Sequence, residues 1–304
     1  MKFIRILPII LASVLTAFTA FVALDTFVIP RAYSVVTDSP VTEFSEAETE
    51  AETSSEAVSA DPVITSTSYT DDDIQITLET YYVNDTYVYV ADVVVSSSGY
   101  IKTALANDTY GRNITDTTSS IASDNSAILA INGDYYGSQE KGYVIRNGVL
   151  YRDKAESGQE DLVIYYDGSF EIISEDEISA QELIDAGAWQ VLSFGPALLE
   201  GGEVSISQNE EVDRAMASNP RTALGIIEDG HYVFVVSDGR TSESEGLSLY
   251  ELAEFMQTLG VETAYNLDGG GSSTMYFNGQ VVNNPTTNGS RIKERSVSDI
   301  VYIG

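Results

Sequence analysis

Four dipeptides, Asn147-Gly148, Asp167-Gly168, Asp229-Gly230 and Asn278-Gly279, each separate two apolar stretches. Such pairs accept the positive φ angles of a two-residue turn, whose twist matches that of the flanking antiparallel strands. They therefore predict hairpins. Asn84-Asp85 divides an alternating run, 74–83, from a β-branched and aromatic one, 87–95, and predicts another. Residues 127–131 read as a short buried strand. Helical spacing is confined to 179–186 and 247–259. The second stretch places Leu249, Leu252, Phe255, Met256 and Leu259 on one face and stops at Gly260. Strands outnumber helices. The expected fold is α+β: a single domain, 63–304, with a large mixed or antiparallel β-sheet core and a few packed helices.

The first 62 residues obey other rules. Residues 6–24 are apolar except for Pro8, Ser13, Thr16 and Thr19, and carry no charge. A run of that length suits a helix crossing a bilayer core. Lys2 and Arg5 precede it and Asp25 comes after it, so the positive-inside rule exports the rest of the chain. Residues 1–25 are expected as an N-terminal transmembrane signal anchor. Small residues near Ala17 and Ala20 leave a cleaved signal peptide as the alternative. The domain is then extracellular on a single-pass protein of a bacterial cell membrane, or secreted. Residues 26–62 are expected as an acidic disordered stalk. Over 36–61, Glu43, Glu46, Glu48, Glu50, Glu52 and Glu56 stand among Ser, Thr and Ala with no Lys or Arg. That leaves too little apolar surface to offset the entropy of ordering.

Composition removes several functions. The chain of 304 residues has a net charge of −32, with 15 Lys and Arg against 47 Asp and Glu, and no Cys. Disulfides, thiol nucleophiles and zinc ribbons are excluded. The acid excess argues against nucleic acid as a partner, since phosphate neutralisation needs clustered cations. His231 is the one histidine and sits at a hairpin exit, so it reads as a surface turn residue.

Chemistry concentrates in a few segments. In Asn266-Leu267-Asp268-Gly269-Gly270-Gly271-Ser272-Ser273 an apolar strand ends in an Asp, three glycines and hydroxyl residues. Consecutive glycines end a strand, admit close approach of a substrate, and can turn amides toward an anion. No Lys succeeds them, so this is not a Walker A loop. Pro220-Arg221-Thr222 opens a strand with a guanidinium suited to two-point contact with a phosphate. Asn132-Gly133-Asp134 and Asp238-Gly239-Arg240 also stand at strand ends, and Arg295 lies near the C-terminus. Phe194-Gly195-Pro196 reads as a turn.

Together with Gly195-Pro196-Ala197-Leu198-Leu199 and Arg295-Ser296-Val297-Ser298, these segments resemble the phosphodiester glycosidase family in order and approximate spacing from about residue 125 onward. Asp134 stands where some relatives have a second Gly. The resemblance implies hydrolysis of a sugar-1-phosphodiester at its glycosidic side; the expected bacterial surface setting points to a glycan of the wall, capsule or exopolysaccharide kind. Such a cleavage needs a carboxylate near the anomeric carbon, for which Asp268 is the candidate, with Asp134 or Asp238 as partner. Arg221, Thr222, Asn132, Gly133, Arg240, Asn266, Gly269, Gly270, Gly271, Ser272, Ser273 and Arg295 would bind substrate. No cofactor is required. Two alternatives stay open: a non-catalytic glycan-binding module, and a phosphodiesterase holding Ca²⁺ or Mg²⁺ between Asp134, Asp238 and Asp268.

Overall fold

The computed structural model describes residues 2–36, with side chains from residue 12 onward, together with 61–207 and 218–304. The acidic run 37–60 of the expected stalk lies outside the described residues. The five hairpins form. Ile74–Val83 turns into Thr86–Val95 through Asn84 and Asp85, at φ 47° and 53°. Val144–Arg146 turns into Val149–Arg152 through Asn147 and Gly148, at φ 49° and 73°. The others join Glu160–Tyr165 to Phe170–Ser174, Arg221–Glu228 to His231–Ser237, and Met275–Phe277 to Gln280–Val281. Asn, Asp and Gly stand at these turns because they tolerate the left-handed region.

Every strand pairing among the described residues is antiparallel. The strands form a nine-stranded sheet, two five-stranded sheets and a two-stranded ribbon. In the largest, Arg221–Glu228 lies between His231–Ser237 and Thr263–Asn266, which pairs onward with Ala197–Glu200. One five-stranded sheet places Leu129–Asn132 between Met275–Phe277 and Asp299–Ile303. The other holds Val144–Arg146, Glu160–Tyr165 and Ala188–Leu192. Alternation sends Leu224 and Ile226 into a core shared with Ile131, Leu162, Phe234 and Met275, so all three sheets pack on one interior. Burial of each such side chain contributes about 1.5–3 kcal/mol. Ala223 faces the other way, against Leu252 and Met256 of helix Leu249–Thr258.

That helix and Ala180–Asp185 each open with a capping box, Ser248 with Glu251 and Ser179 with Glu182. Both match the expected helical stretches once the caps are set apart. Helix Thr118–Asp124 was not expected, since seven residues are too few to display a period.

The N-terminal segment is helical over Lys2–Phe27. Among the described residues no helix is long and apolar enough to cross a membrane. The boundary of the expected stalk needs correction beyond this helix. Arg31–Val35 is a strand paired with Thr109–Arg112, not a free tether. Asn113 Nδ2 donates to the carbonyls of Thr26 and Ile29, both at 3.2 Å.

Candidate active site

Strand Thr263–Asn266 belongs to the nine-stranded sheet, and Met275–Phe277, the next strand, to a five-stranded one. The loop between them must therefore cross from sheet to sheet, and it carries Asp268 and the glycines. Gly270–Ser272 makes one 3₁₀ turn. Gly270 has φ 63°, and a Cβ there would lie 2.9 Å from Arg240 Nη2. A Cβ on Gly269 would lie 2.9 Å from the Pro220 carbonyl oxygen. The glycines thus permit close packing. Two of the amides expected from the sequence to line an anion hollow are turned to the protein instead. The Gly270 N–H donates to the Pro220 carbonyl at 2.8 Å, and the Gly269 N–H is given to the Asp268 carboxylate. The N–H groups of Ser272 and Ser273 close the turn on Gly269 and Gly270 at 3.3 Å.

Where this loop meets the start of strand Arg221–Glu228 and the Phe194-Gly195-Pro196 turn there is a cavity of about 580 Å³. Three guanidiniums, Arg221, Arg240 and Arg295, line it with Asp268 and Asn266. Arg221 is 6% exposed, and its Nε donates to the Leu247 carbonyl at 2.8 Å. Arg240 reaches the cavity from a left-handed residue, φ 62°, with Nε and Nη2 on Asn219 Oδ1 at 3.1 and 2.9 Å. Burial and the nearby Arg295 guanidinium both push its pKa down, the mark of crowded positive charge. Asp268 Oδ2 accepts from Ser272 Oγ at 2.5 Å and from Arg295 Nη2 at 2.8 Å. Burial pushes the Asp268 carboxyl above the ordinary range, while Arg295 and Ser272 pull it back. Arg295 Nε also donates to Ser272 Oγ at 2.9 Å, so Ser272 ties the acid to its cation. Asn266 Nδ2 donates to the Gly195 carbonyl at 2.7 Å, whereas its Oδ1 is buried and accepts nothing.

Other sequence candidates are held in the scaffold. Asn132 is fully buried. Its Nδ2 donates to the Asp268 carbonyl at 2.6 Å, and its Oδ1 accepts from Thr222 Oγ1 at 2.8 Å. Asn132 and Thr222 therefore hold the backbone of Asp268 from behind and do not face the cavity. Gly133 packs against Asp299, where a Cβ would lie 2.3 Å from Oδ1. Gly271 packs on Thr287, and Ser273 is fully buried. Asp134 pairs with Arg146 Nη2 at 2.7 Å and accepts the N–H groups of Tyr136 and Ser193, at 2.9 and 3.0 Å. Arg146 joins it to Asp299 at 2.8 Å, a buried ion triad between two sheets. Asp238, 3% exposed, accepts from Asn284 N–H at 2.8 Å, Asn284 Nδ2 at 3.0 Å and Tyr89 OH at 3.2 Å. Both carboxylates are held by fixed donors, and neither lines the cavity that contains Asp268. Among the described residues no three His, Cys, Asp or Glu gather to hold a metal, so the Asp134–Asp238–Asp268 cation site does not form. His231 caps its hairpin against Asp92 at 3.0 Å.

The phosphodiester glycosidase family model matches residues 125–304, which takes in the whole cavity loop. This chain belongs to the phosphodiester glycosidase family. It is 31% identical over 180 residues to the SPbeta prophage-derived uncharacterized protein YomE of Bacillus subtilis, covering 58% of this chain and 28% of that one. It is 30% identical over 159 residues to the mouse N-acetylglucosamine-1-phosphodiester alpha-N-acetylglucosaminidase, covering 48% and 30%. The chain thus spans less than a third of the length of these relatives. The fold is shared with the zebrafish enzyme's catalytic domain auto-inhibited by its pro-peptide, with a TM-score of 0.60, 23% identity, and coverage of 76% and 82%.

The sequence motifs of this glycosidase-family chain do not include Gln159, Glu160 and Leu249, which also line the cavity. Gln159 and Glu160 sit in a polar loop before a strand and carry no signal of their own. Beneath them lies Asp161, fully buried. Burial and the adjacent Glu175 carboxylate push its carboxyl up. A raised folded pKa means that the unfolded chain gives up this proton first. Stability therefore falls as pH rises from the ordinary Asp range, about 4, through neutrality. The melting temperature is expected to be higher at pH 5 than at pH 8, with Asp161→Asn flattening the difference. An unchanged slope in that variant would contradict the assignment.

Proposed function

We propose that this chain is an extracellular hydrolase that cleaves the glycosidic side of a sugar-1-phosphodiester in a wall, capsule or exopolysaccharide-type glycan. The observation that carries the reading is the convergence of three guanidiniums with the carboxylates of Asp268 and Glu160 in a single cavity of a protein with net charge −32. Family membership supports the same reaction class. Arg221, Arg240 and Arg295 would neutralise the phosphodiester and the charge that grows on it as it departs. Asp268 would face the anomeric carbon, stabilising an oxocarbenium-like centre or taking the proton of the attacking water. The bond from C1 to the bridging oxygen breaks with its electron pair going to the phosphate, and water supplies the new C1 hydroxyl. A phosphomonoester leaves readily, so a second carboxylate to protonate it is unnecessary. This fits the commitment of Asp134 and Asp238 to the scaffold. Asn266 Oδ1, buried without a donor, would accept a sugar hydroxyl.

Incubation with a panel of sugar-1-phosphodiesters, with products followed by NMR, tests the reading. Free sugar plus a phosphomonoester is expected. Sugar phosphate plus free alcohol would mean a phosphodiesterase, and binding without turnover a glycan-binding module. The charge-free run 6–24 behind Lys2 and Arg5 supports export of the domain. Protease added to intact, wall-stripped cells should then cut within 37–60; protection of that segment would contradict the orientation.

A further inference from the structure

A second cavity, of about 490 Å³, lies where Arg31–Val35 pairs with Thr109–Arg112, beside strand Val149–Arg152. Four of the chain's 15 Lys and Arg line it: Arg31, Arg112, Arg152 and Lys154. Glu140 and Asp153 are the acids there, and Glu140 is paired to Arg112 at 2.7 Å. Arg31 is paired with Asp25, so Arg152 and Lys154 are the cations left in excess over Asp153. Two of the donors have no partner. Arg112 Nε and Arg152 Nη2 are buried and make no hydrogen bond. Arg152 is only 8% exposed, and its other nitrogens are fixed on the carbonyls of Gly142, Tyr136 and Gln139. A buried guanidinium N–H left unpaired is costly, and an anion would satisfy it. Aromatic rings form a wall beside these cations: Tyr110 lies 5.0 Å from Tyr151 and 5.8 Å from Tyr33, between ring centroids. Guanidiniums beside aromatic faces suit a phosphate that carries a sugar.

A third depression lies between the two cavities. This depression, of about 430 Å³, shares Gln139 and Glu140 with the second cavity and Gln159 with the candidate active site, and Lys141 and Glu156, paired at 3.5 Å, line it. We propose that this groove holds a polymer of phosphodiester-linked sugars, with one phosphodiester at Asp268 and a further one of the same strand at Arg112, Arg152 and Lys154. A single diester needs one cation cluster, whereas a repeating anion makes use of two joined by a groove. The inference rests on the proposed activity for which bond is cut, but not for binding.

The test is calorimetric. The probes are a synthetic tetramer of N-acetylglucosamine joined by 1,6-phosphodiesters and the dimer with one such link. Binding is measured on the full chain carrying Asp268→Asn, so that neither probe is consumed. The tetramer is expected to bind at least about 10-fold tighter than the dimer, with the gain reduced by salt. Adding Arg112→Gln with Lys154→Gln should remove the gain and leave dimer affinity unchanged. Lys154→Gln alone, at an exposed position, should reduce it if the double variant folds poorly. Equal affinities, no binding of either probe, or variants that weaken both probes alike would overturn the proposal. Failure of the hydrolytic reading would show separately, as no turnover by the unaltered chain with the tetramer preference intact.

Discussion

Asp268→Asn is expected to lower kcat on a sugar-1-phosphodiester by at least about 10²-fold, equivalent to roughly 2.7 kcal/mol of transition-state stabilisation. The substitution keeps the volume and removes the charge. The carboxylate lies at the mouth of a strand, held by Ser272 and Arg295 and lining a cavity that contains three guanidiniums. Positive charge that develops at the anomeric carbon would be stabilised by this carboxylate. Substrate binding should change less, and can tighten, because one repulsion with the anionic diester is gone. The alternative role for Asp268 is only to close the glycine turn. In that case the variant loses melting temperature and keeps its turnover per folded molecule. The ion pair to Arg295 is itself a weak source of stability, since Arg295 is 41% exposed. A large fall in kcat with a small fall in melting temperature is therefore the expected pattern, measured on one preparation.

Arg221→Lys is expected to lower kcat/KM by about 10- to 100-fold, the range for a lost charge-assisted hydrogen bond. Lys keeps the charge but cannot offer a planar, two-point contact. It also gives up the bond from Nε to the Leu247 carbonyl, which holds the guanidinium against the turn before helix Leu249–Thr258. The strand itself is secured by the Arg221 N–H on Ser237 Oγ at 2.9 Å and by pairing on both sides, so the fold should survive. Unchanged activity against a phosphodiester would remove Arg221 from the phosphate site.

The parts of the fold that were legible were those governed by local rules. Asn147-Gly148 and Asn278-Gly279 make their turns because few other pairs accept two successive positive φ angles. Helix Leu249–Thr258 was readable from its period and its stop at Gly260. The sheet order was not readable, because pairings such as Asp299–Ile303 with Leu129–Asn132 depend on contacts far apart in sequence. The site divides in the same way. Asp268 and Arg221 stood out because each sits at a strand end beside residues that break regular structure. Asp134 and Asp238 stood out for the same reason, yet face fixed donors. Nothing in the sequence announces that Arg146 lies 2.7 Å from Asp134, or that Asn284 reaches Asp238. Asn132 has the motif of a substrate contact and proves to be a buried tie between three segments. The strand at Arg31–Val35 was concealed by its place beside a polar, acidic stretch. The second cavity could not be read at all, since its cations come from segments that meet only in the folded chain.

Hydrolysis in water enriched in ¹⁸O tests the central claim most directly. Cleavage between C1 and the bridging oxygen puts the label on the sugar hydroxyl and leaves the phosphomonoester unlabelled, which is the result expected here. Label in the phosphate would place the attack at phosphorus and contradict a glycosidase at Asp268.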